Sequence, residues 1–128
     1  MDDSIILDPI TLQRLADLAR AVAQPREDVL GRLVHSFATD SAARLLLLED
    51  AMREADDDKG VRAAHSIKGA AGNMGALRVV AAANVVEASC RAGLSAATAT
   101  QVRVEILTLG QELKDAIAEL RRTFGLKE

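Results

Sequence analysis

The sequence predicts an all-α fold, an antiparallel four-helix bundle with an additional short N-terminal helix, and three observations lead to this prediction. Apolar residues recur at spacings of three and four along most of the 128 residues, which is the period of an amphipathic helix. No stretch shows the alternation of apolar and polar residues that is typical of a strand. Aromatic residues make up only 2% of the chain, so small and aliphatic side chains have to form the core, as in closely packed helices. The length suits one domain over 1–128.

The first two predicted helices span about 9–23 and 26–55. Asp8 is the expected N-cap of the first helix, and Pro9 suits its first position, where the missing amide proton is not needed. The apolar residues of this helix are Leu12, Leu15, Leu18, Ala19 and Val22. The second helix carries a longer and almost entirely apolar stripe of Leu30, Val34, Phe37, Ser41, Leu45, Leu48 and Met52.

Three more helices are expected to complete the bundle, over about 58–74, 77–92 and 96–124. The acidic run 56–58 precedes the third helix, and we interpret it as a solvated cap rather than a metal site. Gly75 suits the left-handed position after this helix, and Ser95 is the expected N-cap of the fifth. The residues expected to be buried on the last two helices are Val79, Ala83, Val86, Cys90, Ala99, Val102, Ile106, Leu109, Leu113, Ile117, Leu120 and Phe124.

Composition argues against several classes of function. The formal net charge of −3 disfavours broad affinity for nucleic acid or anionic membranes, so we expect a protein partner. Cys90 is the only cysteine, and its place on an apolar face predicts a small buried side chain rather than a reactive thiol. The chain shows no signal peptide and no apolar span of about 18 residues, which predicts a cytoplasmic protein. It also lacks a phosphate-binding glycine loop and a nucleophilic serine motif, so a self-contained catalyst is not expected.

The third helix contains the chemically most informative residue, His65. At 100° per residue, Gly69, Gly72 and Ala76 fall within about 40° of it, so this face carries almost no side-chain bulk. Lys68 lies about 60° to one side, where we expect its side chain to point to water and its ammonium to attend an anion on the imidazole. An exposed imidazole is largely neutral at pH 7 and can act as a nucleophile, for which a phosphoryl group is a suitable electrophile.

The same glycines allow an alternative arrangement. Gly69 and Gly72 could let another helix of this domain pack closely, and His65 would then be buried at the crossing. Against this alternative, the opposite face of the helix is already apolar and expected to be buried, with Ala63, Ile67, Ala70, Ala71 and Met74. The second histidine, His35, has no neighbouring glycine or lysine pattern, and we interpret it as a partly buried or surface residue.

The segment from His65 to Ala76, followed by Val86-Glu87 and Arg91-Ala92-Gly93, resembles the signature of histidine-containing phosphotransfer (HPt) domains of bacterial phosphorelays. That pattern is a histidine, a lysine three residues on, a glycine directly after the lysine, and a second glycine near the following helix turn. The order and length of the predicted helices are similar as well, so the resemblance covers nearly the whole chain. This chain departs from many members at Ala70 and Ala71, where they have serine at one or both positions, so a hydroxyl contact at these positions is not expected.

The resemblance implies that His65 accepts a phosphoryl group from a receiver-domain aspartyl phosphate, or from a histidine kinase, and passes it to another response-regulator receiver. It implies that Lys68 interacts with the phosphoryl oxygens and that Gly69 leaves room for them. The predicted partner-docking residues are Gly72, Gly75 and Ala76. The implied protein is a phosphohistidine carrier rather than an enzyme, with no cofactor or metal of its own, because Mg²⁺ belongs to the partner receiver.

Two other functions stay open at the level of the sequence. One is a helical adaptor that binds a receiver or kinase without accepting phosphate, although His65, Lys68 and Gly69 are all present. The other is the phosphoacceptor module of a larger chemotaxis-type or hybrid histidine kinase. Met1 at the start and the lack of ATP-binding motifs favour a free-standing domain. The expected partners are receiver domains and a hybrid histidine kinase, and a bundle with a closed core is expected to be a monomer.

Overall fold

The computed structural model describes residues 6–22 and 25–127. These residues contain five helices. Their bounds are Pro9–Ala21 (α1), Arg26–Glu54 (α2), Asp57–Asn73 (α3), Leu77–Ala92 (α4) and Ala99–Thr123 (α5). Helices α2 to α5 form the bundle, in which each helix packs against the next and α5 closes against α2, while α1 packs on α2 from outside. The predicted all-α bundle with an extra N-terminal helix is confirmed. None of the described helices combines the length and the hydropathy needed to cross a membrane.

Aspartate side chains cap the N-termini of α1 and α3, as predicted. Asp8 accepts a hydrogen bond from an amide in the first turn of α1, and Pro9 is the first helical residue. Asp56 accepts a hydrogen bond from the Lys59 amide at 3.1 Å, and the rest of the acidic run lies in the first turn of α3. Negative charge there is favoured by free amides and by the positive end of the helix dipole. The acidic run is therefore a helix cap.

The predicted start of α5 is wrong. Ser95 does not cap the helix, which begins at Ala99 after a turn over residues 96–98. The Ser95 amide instead donates a hydrogen bond to the Thr98 hydroxyl at 3.1 Å, which stabilises this turn. The helix therefore begins three residues later than predicted. The other predicted helix ends lie within two residues of the observed ones. Residue 23, the predicted end of α1, lies outside the described residues.

Helix α1 is less buried than its apolar pattern predicts. Only Ala19 is buried, Leu12 and Leu15 are half-buried, and Leu18 and Val22 are exposed. The reason is that α1 packs mainly against α2, so only a narrow strip of its surface is covered.

The core of the bundle consists of the stripes predicted on α2, α4 and α5. All of the residues predicted on these stripes are buried except four half-buried residues near helix ends or seams, Leu45, Met52, Ala99 and Ile117. The buried thiol of Cys90 confirms the prediction for the single cysteine, since burial raises its pKa to about 11 and keeps it protonated at pH 7.

Helices α3 and α4 pack closely against each other at Gly60. A Cβ atom built there would lie 2.6 Å from Cys90 Sγ, well inside van der Waals contact. Gly60 is more than one turn before His65, so the tight crossing of these helices lies away from the histidine.

The turn from α3 to α4 is held by the segment that precedes α1. Gly75 has a φ of +71°, which confirms the predicted left-handed position. The Asp8 amide donates to the Gly75 carbonyl at 2.7 Å, and the Leu77 amide donates to the Ile6 carbonyl at 3.1 Å. These bonds fix residues 6–8 across the end of the bundle and cover the turn.

Candidate functional site

His65 stands in the middle of α3 with its side chain 67% exposed. A Cβ atom built at Gly69 or Gly72 would have no neighbouring atom within 4 Å. This open surface confirms the expected bare face around the imidazole and excludes the alternative of a helix crossing at these two glycines. Close packing of helices occurs at Gly60 instead.

The predicted exposure of Gly75 and Ala76 is wrong. Helix α3 ends at Asn73, so the helical angle that placed Ala76 beside His65 does not extend to it. Both are buried, and a Cβ atom at Gly75 would lie 2.9 Å from the Thr11 Cβ. They form the covered turn described above, and only Gly72 of the three predicted docking residues is accessible to a partner.

The buried side of α3 determines which way the histidine faces. Ala63, Ile67, Ala71 and Met74 are buried and Ala70 is half-buried, as the sequence predicts. Because these residues anchor one side of the helix in the core, the imidazole on the other side is directed to solvent.

A buried carboxylate that the sequence did not assign a role, Glu87 of α4, lies at the centre of the site. It is only 4% exposed. Its Oε1 atom accepts a hydrogen bond from Lys68 Nζ at 2.5 Å, and its Oε2 atom accepts one from Arg91 at 2.7 Å. The same Oε2 atom lies 3.2 Å from Nδ1 of His65. Glu87 therefore joins α3 to α4 beneath the exposed imidazole.

The surrounding donors keep Glu87 ionised in spite of its burial. The hydrogen bond from Lys68 is the largest cause that lowers its pKa, with Arg91 and His65 adding to it, and together they outweigh desolvation and bring the pKa to about 2. The carboxylate is thus negatively charged at any pH near neutral.

Because Glu87 is ionised, the ring nitrogen of His65 that carries the proton can be assigned. An ionised carboxylate can only accept a hydrogen bond, so the contact between Nδ1 of His65 and Glu87 is donated by Nδ1–H. In the neutral ring the lone pair then lies on Nε2. The exposed imidazole therefore offers one nucleophilic nitrogen to solvent and holds the other against the protein.

Lys68 is placed differently from the prediction. Its side chain is 27% exposed and does not point to water, because Nζ is engaged by the Glu87 carboxylate and lies 3.4 Å from the Asn84 side-chain oxygen. The prediction of its direction was wrong because a helical wheel carries no information on what a neighbouring helix presents. The ammonium still lies one turn from His65 and on the same side of the bundle.

The position of Glu87 in the sequence could have identified it as a site residue. It follows Val86 directly and precedes Cys90 by three residues, so it interrupts the apolar face of α4. A carboxylate at such a position needs cationic or hydrogen-bonding partners, because burying an unpaired charge is costly.

His35, the second histidine, is exposed on α2, which agrees with the interpretation as a surface residue. Over residues 6–22 and 25–127, no three His, Cys, Asp or Glu side chains come together as ligands for a metal ion.

The fold and the site together define a class of protein, a helical bundle in which a buried carboxylate orients an accessible histidine. The family model of the Hpt domain matches residues 32–123. The structure is similar to the crystal structure of histidine-containing phosphotransfer protein B (HptB) from Pseudomonas aeruginosa PAO1, with a TM-score of 0.78 and 22% sequence identity over 96% of this chain and 97% of that chain. No curated protein sequence matches the chain significantly.

The chain belongs to the Hpt domain family, since the family model covers most of its length. It is a phosphotransfer intermediate of phosphorelays, and its partners are receiver or kinase domains of two-component systems. The likeness to HptB shows the shared fold, which includes α1 because it extends over nearly the whole of both chains.

Proposed function

We propose that Nε2 of His65 is the atom that carries the phosphoryl group. The observation that supports this most directly is the contact of Nδ1 with the buried and ionised Glu87, which leaves Nε2 unprotonated and facing solvent. His65 also has the bare surface of Gly69 and Gly72 beside it, where a partner protein has room to bring its phosphoryl group close.

In the proposed transfer, the Nε2 lone pair attacks the phosphorus atom of an aspartyl phosphate on a receiver. The N–P bond forms as the P–O bond to the aspartyl oxygen breaks, and that electron pair leaves with the carboxylate. The imidazole keeps its Nδ1 proton and becomes cationic, and Glu87 stabilises this charge through the hydrogen bond already present. Transfer to a second receiver is the reverse of this step, with a new aspartate as the nucleophile.

Lys68 supplies positive charge for the phosphoryl oxygens in this proposal. Its ammonium is a flexible point charge one helical turn from His65, and moving it towards the phosphoryl group would weaken its bond to Glu87. Arg91 makes that movement less costly, because it remains bonded to the Oε2 atom and keeps the buried carboxylate neutralised.

We also propose that the chain acts as a carrier rather than as an enzyme, and as a monomer. It would have no cofactor of its own, and the Mg²⁺ used in phosphoryl transfer would be bound by the partner receiver. The match to the Hpt family model over residues 32–123 supports the carrier role.

The experiment that tests the function is transfer of label from a phosphorylated receiver to the chain. We expect the wild type to take up the label and His65→Gln to take up none. His35→Gln is the matched control, since it removes the other histidine of the chain and is expected to accept label at the wild-type rate. Equal labelling of His65→Gln and the wild type would overturn the proposal.

A further inference from the structure

A groove between α2 and α3 lies beside His65, on the side away from Glu87 and Lys68. It has a volume of about 280 Å³ and is lined by Arg44, Leu47, Lys59, Arg62, Ala63 and Ser66. Because Ser66 directly follows His65, the groove opens next to the imidazole. It belongs to the seam between α2 and α3, whereas Glu87 and Lys68 lie at the seam between α3 and α4.

Cations consequently flank His65 on both sides. On α3, Arg62 lies one turn before the histidine and about 60° from it in the direction opposite to Lys68. Arg44 reaches the same groove from α2. A partner that covers the imidazole would therefore meet positive charge at both edges.

The two arginines of the groove differ from the cations around Glu87 in having no anion to neutralise them. Within the described part of the chain, neither Arg44 nor Arg62 forms an ion pair or a hydrogen bond through its side chain. Lys59 is bonded to Glu54 at 2.9 Å and contributes less. In a chain with a formal net charge of −3, the groove is thus a local positive surface.

We propose that this groove is a docking subsite for acidic side chains of the receiver that exchanges its phosphoryl group with His65. This inference rests on the proposed function. A receiver that binds Mg²⁺ through carboxylates has a negative potential around its reactive aspartate, and that region must face His65 during transfer. Guanidinium groups pair with carboxylates through two parallel hydrogen bonds, and the exposed edge of Leu47 adds an apolar wall.

The groove acts on encounter and selectivity rather than on the chemical step. Charges at the rim of an interface change mainly the association rate and its dependence on salt. We therefore expect the variant with Arg44→Glu and Arg62→Glu to lose about tenfold in kcat/KM for transfer from a receiver, mostly through KM, and to lose most of the wild-type dependence on ionic strength. Arg44→Gln with Arg62→Gln removes the charge without reversing it and is expected to lose about threefold.

A control with the same change of charge is available across the bundle. Arg103 and Lys114 are exposed on α5 and line the seam with α2, away from His65. Replacing both with glutamate is expected to change kcat/KM by less than about twofold at moderate ionic strength, because distant exposed charges are screened. The receiver for these measurements is the one from the same genome that loses its label fastest to the wild type.

Phosphoramidate, a small phosphoryl donor that needs no docking surface, separates docking from chemistry. We expect it to label the neutral variant, Arg44→Gln with Arg62→Gln, at close to the wild-type rate. Receiver kinetics that are unchanged in the groove variants, or equally reduced in the α5 control, would overturn the inference, as would labelling of the neutral variant by phosphoramidate that is slowed as much as its transfer from the receiver. Labelling of His65→Gln by phosphoramidate would instead overturn the proposed function.

Discussion

At the scale of single residues, Glu87 determines what His65 can do. Its carboxylate accepts the hydrogen bond of Nδ1–H, and the lone pair is left on the nitrogen that faces solvent. The ammonium of Lys68 and the guanidinium of Arg91 compensate the negative charge that burial would otherwise make costly. One buried side chain thereby orients the ring, selects its nucleophilic nitrogen and holds α3 to α4.

The pKa of Glu87 predicts a pH-dependent contribution to stability. Because the folded pKa is about 2 and the ordinary value is 4.5, the unfolded chain binds a proton before the folded one as pH falls. The contribution is fully present above about pH 4.5 and is lost as pH falls through about 2. We expect Glu87→Gln to lower the free energy of unfolding by about 2–3 kcal/mol at pH 7, with a difference from wild type that shrinks towards pH 2.

Chemical denaturation at a series of pH values measures this difference. Glu49→Gln, which removes an exposed carboxylate on α2, is the control and should unfold at nearly the wild-type free energy at every pH. A Glu87→Gln difference that stayed constant from pH 7 to pH 2 would contradict the role of the ionised carboxylate.

Lys68→Ala is predicted to affect both transfer and stability. Loss of its ammonium should slow transfer from a receiver, because positive charge near the phosphoryl oxygens is removed. It should also lower the free energy of unfolding by about 1–2 kcal/mol, since a charged hydrogen bond to buried Glu87 is lost while Arg91 and His65 remain bonded to it. Transfer rates and urea unfolding test the two parts, and a variant with wild-type transfer would contradict the proposed role.

At the scale of helices, the glycines of α3 have two separate tasks. Gly60 lets α4 approach, whereas Gly69 leaves the surface beside His65 open. We expect Gly60→Ala to lower the free energy of unfolding by about 1–3 kcal/mol, because its Cβ would overlap Cys90 Sγ. Gly69→Ala should instead raise it by about 0.5–1 kcal/mol, since alanine favours the helix and meets no neighbouring atom.

Thermal or urea unfolding of these variants provides the test. In a background of Cys90→Ala, the Gly60→Ala variant should lose less stability than in the wild-type background, because the overlapping sulfur atom is gone. Equal effects of the two glycine substitutions would show that the close approach at Gly60 has no energetic weight.

Helix-level features were the most predictable from the sequence. Periodicity and caps placed α4 at its observed bounds and the starts of α1 and α3 within one residue, because these signals are local. The start of α5 was missed because Ser95 and Thr98 both suit an N-cap, and a local turn uses the Thr98 hydroxyl.

The histidine was predictable for the same local reason, whereas its surroundings were not. The bare face of Gly69 and Gly72 can be read from spacing within one helix. The bonds of Glu87 to α3, and the burial of Gly75 and Ala76 beneath residues 6–8, depend on how separate segments meet. Spacing within one helix does not contain that information.

At the scale of the whole molecule, α1 and the bundle differ in how strongly they are held. The four bundle helices share one core, whereas α1 buries only Ala19 and packs mainly on α2, with residues 6–8 fixed at the α3 to α4 turn. We therefore expect amide protons of α1 to exchange with solvent faster than those in the centres of α2 to α5. Hydrogen exchange followed by NMR measures this, and equal protection in α1 and the bundle core would contradict it.

The bundle also explains why the site can be reached by two partners in turn. His65 lies on an outer face between two seams, with Glu87 and Lys68 at one and the basic groove of Arg44 and Arg62 at the other. The core is built on the opposite side of α3, away from the exposed imidazole. A stable scaffold with an exposed nucleophile is what a reversible carrier requires.

The central claim is that Nε2 of His65 carries the phosphoryl group, and NMR of the phosphorylated, ¹⁵N-labelled protein tests it most directly. Correlations between the ring protons and the two ring nitrogens distinguish the phosphorylated nitrogen from the protonated one. The expected result is phosphorus on Nε2 of His65 with a proton retained on Nδ1 against Glu87. Phosphorus on Nδ1, on His35 or on a carboxylate would contradict the account.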